Sequence, residues 1–274
     1  MRHLGLKAVV LSAMFLLGAV VQGVSLDITG AATKATESAV AAAAAAEAAG
    51  QREAQLIQEF LEWAEERIVS LEEAVSEIIA MEKEVTRTNA HISEMASDIL
   101  KGPDGNSKPL AQAALNIAAE KVAMVKLAMV SSQRSLQAAQ ARVEAIARSI
   151  TLATYPPPFS EARQQAQTAS VLARSVQTEA ARAKGAVKAG DVDTAIAALI
   201  AALDAESEAW RAAYLAEAAL FKLVETIHGW REEIEGYARD IAAAHGQAVV
   251  ALAEVRVARI LLEARISGRP APPG

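Results

Sequence analysis

Helix breakers are confined to a few short stretches of this 274-residue chain, and that distribution constrains the fold more than any motif does. Between Asp27 and Leu100 only Gly30 and Gly50 interrupt, each costing a helix about 1 kcal/mol relative to alanine. The stretch Lys101-Gly102-Pro103-Asp104-Gly105-Asn106-Ser107-Lys108-Pro109 is a dense loop signal. A second helix is predicted over 110–153, ended by Tyr155-Pro156-Pro157-Pro158. A third, over 160–188, opens with Ser160 as N-cap candidate and Glu161 in its first turn. Gly190 then suits a helix C-cap and Asp191 the next N-cap, so a fourth helix is predicted over 192–266.

Composition agrees with long helices. The hydrophobic fraction is 53%, yet 65 residues are alanine, which has the best helix propensity and the least area to bury. The predicted fold class is therefore all-α: an elongated, antiparallel three-helix bundle of coiled-coil type, with its middle rod broken at the Tyr-Pro-Pro-Pro step. The first and last helices would each run about 110 Å, and the two middle pieces together nearly match them. The alternative reverses the chain at the prolines, leaving two long helices with two shorter ones packed between them.

Heptad seams carry the bundle reading. In the first helix Ile57, Leu61, Ala64, Ile68, Leu71, Val75, Ile78, Val85, Ile92, Ala96 and Ile99 recur three and four apart. Glu82 and Asn89 fall on positions that this register assigns to the core, where they would fix register or line a ligand cavity, unless the stripe widens through Met81. The last helix carries the series Leu199, Glu206, Ala213, Leu220, Ile227, Ile234, Ile241, Ala248, Val255, Leu262. Arg231 and His245 pose the same question there. Trp210, Tyr214 and Phe221 stand at helical spacing and are expected to plug the core; Trp63 and Trp230 complete the group.

Residues 1–25 have the form of a secretory signal peptide: Arg2 and Lys7, an apolar run from Ala8 to Val21, then small residues at Gly23 and Ser25. The expected organisation is a leader over 1–25, a helical bundle over 26–266 and a proline-rich tail over 267–274. With no cysteine, the chain has no disulfides, thiolate metal site or cysteine nucleophile. The excess of 33 acidic over 27 basic residues argues against a nucleic-acid partner. No N-x-[ST] sequon occurs.

Catalytic patterns are missing too. His228 and His245 lie seventeen apart, too far for a helical metal pair, and there is no His-Glu-x-x-His. The cluster Glu62, Glu65, Glu66, Glu72, Glu73, Glu77 is expected to be a solvated helix face. No catalytic residue, cofactor or metal is therefore expected. The loop residues Lys101, Pro103, Asp104, Asn106 and Lys108 are the candidate interaction site, because one end of a rod is where a surface protein presents its loops.

Taken together, the leader, the cysteine-free alanine-rich chain, the missing sequons, the breaks at Lys101–Pro109 and Tyr155–Pro158 and the proline-rich end resemble the glutamate/alanine-rich surface proteins of African trypanosomes. The resemblance implies a helical bundle held in a surface coat by a glycolipid (GPI) anchor, with no catalytic residues and an unknown host or vector ligand. An anchor signal needs a hydrophobic tail of about 10–20 residues after small residues. Ser267 and Gly268 would begin such a site, but no tail follows them, so longer sequence, free secretion and failure of the resemblance all stay open. The expected function is a cell-surface or extracellular structural or interaction protein, not an enzyme. The alternatives are a helical-bundle receptor and a lipid-associating amphipathic-helix protein.

Overall fold

The computed structural model describes residues 27–151 and 160–268, and the described chain is all-helical. Helix α1 runs Ile28–Lys101, α2 Lys108–Thr151, α3 Glu161–Ala189 and α4 Val192–Ile266, with a 3-10 turn at Gly105–Ser107. The leader over 1–25, the Tyr155–Pro158 step and residues 269–274 of the tail lie outside the described residues.

Within the described residues the predicted ends fall within a residue or two of those observed; the end predicted at 153 lies outside them. Asp27 caps α1 by accepting from the Gly30 N–H at 2.7 Å. Gly190 takes the left-handed conformation, with φ of 75°, that ends α3. Asp191 then accepts from the Thr194 N–H at 3.1 Å, and the hydrogen bonds from Thr194 hold its carboxyl below the usual value. One cap differs. Ser160 occupies the N-cap position of α3, but its side chain makes no cap hydrogen bond. The loop is also shorter than its nine-residue signal, because Lys101, Lys108 and Pro109 are helical; Pro109 fits the first turn, where an N–H has no partner in any case.

The chain divides into two compact units, Met1–Glu59 with Ser149–Ile227 and Phe60–Arg148 with His228–Gly274. Within the second unit, ion pairs report helix direction. Arg67 meets Glu235 at 2.6 Å, His245 meets Glu77 at 2.8 Å, and Arg256 pairs with Glu84; residue numbers rise together, so α1 and α4 run parallel here. Lys121 meets Glu254 and Arg142 meets Glu233, both at 2.8 Å, so α2 runs antiparallel to α4. The core between them holds large side chains, among them Ile78, Val85, Ile92, Ile241 and Leu262.

The first unit repeats the pattern with smaller residues. Ala42, Ala46 and Ala49 of α1 pack with Ala162 and Ala169 of α3 and with Ala209, Ala212 and Ala216 of α4. Farther along, Ile28 and Ala32 share a cluster with Ala183, Ala186, Ala195 and Leu199, so α3 is antiparallel to both neighbours. Alanine lets the helix axes approach closely. Gly50 marks one such approach, since a Cβ there would stand 3.3 Å from the Arg163 Cα.

One expectation about the core is corrected and one alternative is decided. Trp210, Tyr214 and Phe221 are 45%, 61% and 68% exposed rather than a core plug, because the buried line of α4 falls on Ala209, Ala213 and Ala216. Phe60 is the buried aromatic instead, with ring centroids 5.9 Å from Trp63 and 5.2 Å from Trp230. Glu82 and Asn89 stand half-buried at the edge, while Thr88 is buried and Met81 packs against the core. An α-helix turns every 3.6 residues, so a 3.5-residue register passes between neighbouring positions, and the less polar one takes the interior.

Candidate functional site

The most unusual residue of the first unit is Glu53. It lies on the heptad line of Ala32, Ala39, Ala46 and Phe60, and is 1% exposed. A carboxylate is tolerated in that line because it faces the start of α3, whose first N–H groups have no intrahelical acceptor. Glu53 Oε2 accepts from the Arg163 N–H at 3.1 Å. Oε1 is buried without a well-formed hydrogen bond. Burial pushes the Glu53 carboxyl above the ordinary glutamate value; the N–H groups of Arg163 and Ala162 and the Arg163 charge pull the other way, and Glu161 adds to the rise. Glu53 thus supplies from α1 the cap that Ser160 does not supply from α3. The exact seven-residue spacing from Ala46 to Glu53 to Phe60 was the sequence signal for it.

Beside this contact runs an open groove of about 410 Å³. Glu47 and Gln51 of α1 and Arg163, Gln167 and Ser170 of α3 form its polar edges, and Ala43, Ala54 and Ala166 its floor. The arrangement can solvate or hydrogen-bond a polar group.

The predicted positions belong mostly to the second unit. Glu82 accepts from the Thr86 hydroxyl at 3.0 Å, and the Asn89 carbonyl accepts from Ser93 at 2.9 Å, so both are engaged within α1. Arg231 is exposed rather than in the seam, its guanidinium 5.2 Å from the Trp63 ring centroid. His245 is half-buried, with Nε2 at 2.8 Å from Glu77. The six-glutamate cluster is exposed, and Glu72 accepts from Gln140 at 2.8 Å. The structure does not bring Glu82, Asn89, Arg231 and His245 to one place: the Glu82 side chain and the Asn89 backbone carbonyl bond within α1, while His245 and Arg231 of α4 reach across to Glu77 and to the Trp63 ring.

The loop is more built than its composition suggested. Asp104 accepts from the Asn106 N–H at 3.0 Å and from the Ser107 hydroxyl. Arg265 of α4 donates through Nε to Ser107 Oγ at 2.6 Å and through Nη2 to Asp104 at 3.2 Å. The Ser107 hydroxyl, the Asn106 N–H and then Arg265 hold the Asp104 carboxyl below its usual value. Pro103 and Asn106 remain exposed, as does Lys101, with Lys108 partly covered. Ser267 and Gly268 form the turn after α4, Gly268 with φ of 60° and the Ser267 hydroxyl bonded to the Glu263 carbonyl at 2.8 Å.

Among the described residues, no group of three or more His, Asp or Glu side chains could hold a metal ion, and no helix is long and apolar enough to cross a membrane. Compared with known proteins, the chain matches no family model, no curated protein and no solved structure.

Proposed function

We propose that this chain is a structural or interaction protein of the cell surface or extracellular space, built of long helices packed in threes, that presents the Lys101–Pro109 loop at an end of α4. One observation carries the reading: in both units a segment of α1 and a segment of α4 run parallel, with one intervening helix antiparallel to both. The loop pinned by Arg265 supports the presenting role, because an ordered tip is a better recognition surface than a slack connector. The role is mechanical and carries no catalytic step. The signal-peptide form of residues 1–25 and the likeness to the glutamate/alanine-rich coat proteins support the surface location; an anchor at Ser267 or Gly268 is not part of this reading, because Arg265 holds the presented loop at that same end of α4.

Labelling of intact cells with a membrane-impermeant reagent tests the location, and protection of the Lys101–Pro109 loop against limited proteolysis tests the ordered tip. Protein reached only after permeabilisation, or a loop cleaved as fast in the unmodified chain as in Arg265→Ala, would overturn the reading.

A further inference from the structure

Helix α4 carries a second heptad pattern, displaced by one residue from its buried line. Ile196, Leu203, Trp210, Glu217 and Val224 recur every seven residues, and so do Ile200, Ser207, Tyr214 and Phe221. The first pattern is consumed inside the unit by α1 and α3. Much of the second faces outward: Ile200 is 51% exposed, Phe221 68% and Val224 46%, with Trp210 and Tyr214 exposed between them, whereas Ile196 and Leu203 are half-covered by their own core. Exposed large apolar side chains aligned along one helix face, here interrupted by Ser207 and Glu217, mark an interaction surface. Its spacing also selects the occupant, because alternating steps of three and four residues fit the side-chain rows of another helix.

We propose that this face docks a second copy of the same chain, with the two α4 helices antiparallel about a two-fold axis. Reversal of the stripe onto itself is what singles out the second copy. With Trp210 opposite the partner's Tyr214, the next layers outward match Ser207 with Glu217, Leu203 with Phe221, and Ile200 with Val224. Both polar positions of the stripe then meet each other, the serine hydroxyl donating to the carboxylate, and the apolar side chains meet apolar ones, Leu203 through the part of its surface that its own core leaves uncovered. A parallel pairing stacks Glu217 on Glu217, two like charges in a desolvated seam. Trp210 is preorganised for the contact, since its Nε1 already donates to Ser38 Oγ at 2.9 Å while its ring stays 45% exposed. The two-fold axis repeats each layer, giving eight layers over roughly 36 Å of helix.

The absence of cysteine makes the test clean. The full chain carrying both Ser207→Cys and Glu217→Cys is expected to form a covalent dimer on mild oxidation, with two symmetric disulfides. Ser207→Cys alone is expected to stay uncross-linked. Light scattering of the unmodified chain should give twice the monomer mass at micromolar concentration. Phe221→Glu should restore the monomer with helicity by circular dichroism unchanged, because that side chain makes little contact within its own unit. A monomeric unmodified chain, cross-linking by Ser207→Cys alone, or vesicle flotation that Phe221→Glu abolishes would each overturn the proposal, the last by assigning the face to lipid.

Discussion

Replacing Glu53 by alanine removes the acceptor that closes the start of α3. The Arg163 N–H, bonded to Oε2 at 3.1 Å, is left without a partner in a site where Glu53 itself is 1% exposed. A buried donor without an acceptor costs about 1–3 kcal/mol. Taking about 2 kcal/mol, the opening constant of the amides at 162–164 rises roughly 30-fold, since each 1.4 kcal/mol is a factor of ten. Native-state hydrogen exchange reads this directly. Glu53→Gln separates charge from capping: its carbonyl keeps the bond to Arg163, and its amide is neutral at every pH. The pH dependence then has a definite sign. Burial raises the folded-state pKa above the ordinary value of 4.5, so the folded state binds more protons than the unfolded chain. The stability that Glu53 contributes is fully present below about pH 4.5 and is lost as pH rises through the folded value. Relative to Glu53→Gln, the unmodified chain should gain protection at α3 as pH falls from 8 towards 5, after correction for intrinsic exchange. Protection that instead grows with rising pH would refute the reasoning. So would an alanine variant whose 162–164 amides exchange no faster.

The alanine core of the first unit buries less area per side chain than the isoleucine, valine and leucine core of the second, at about 0.8 kcal/mol per methyl-sized group against 1.5–3 kcal/mol for a larger aliphatic. Exchange should therefore be faster in residues 32–49 than in residues 71–92 of α1, and Ile78→Ala should cost about 2–5 kcal/mol when unfolding of the second unit is followed. Arg265→Ala removes the donor to Ser107 and Asp104, and should speed exchange of the Ser107 amide while leaving the middle of α2 unchanged. Acid should loosen the same turn. The Asp104 carboxyl is held below its ordinary value of 3.8, so its contribution is present above that pH and lost as pH falls through the lowered folded value.

Local chain chemistry was enough to read the helices. Few breakers, abundant alanine, Asp191 and Gly190 at the hairpin and the Lys101–Pro109 punctuation place four helices within a residue or two of where they stand. The long α4 seam was legible for the same reason, because a seven-residue repeat over ten heptads leaves one face to bury: Leu199, Ile227, Ile234, Ile241, Val255 and Leu262 are all interior. Which of two neighbouring positions goes inside was not legible. Thr88 rather than Asn89, and Ala209 rather than Trp210, are chosen by how close a second helix approaches, and one strand of sequence does not contain that distance. Glu53 makes the same point from the opposite side. A glutamate on an otherwise apolar heptad line looks like an error until α3 arrives with unpaired N–H groups aimed at it. Local chemistry sufficed for the helical class and for most helix ends, since those choices are made within a turn of backbone, whereas the start of α3 is closed by Glu53 from α1. The buried carboxylate, the Arg265-tied loop and the outward aromatic stripe were decided only by tertiary packing, because each depends on residues more than a hundred positions apart meeting at a few ångströms.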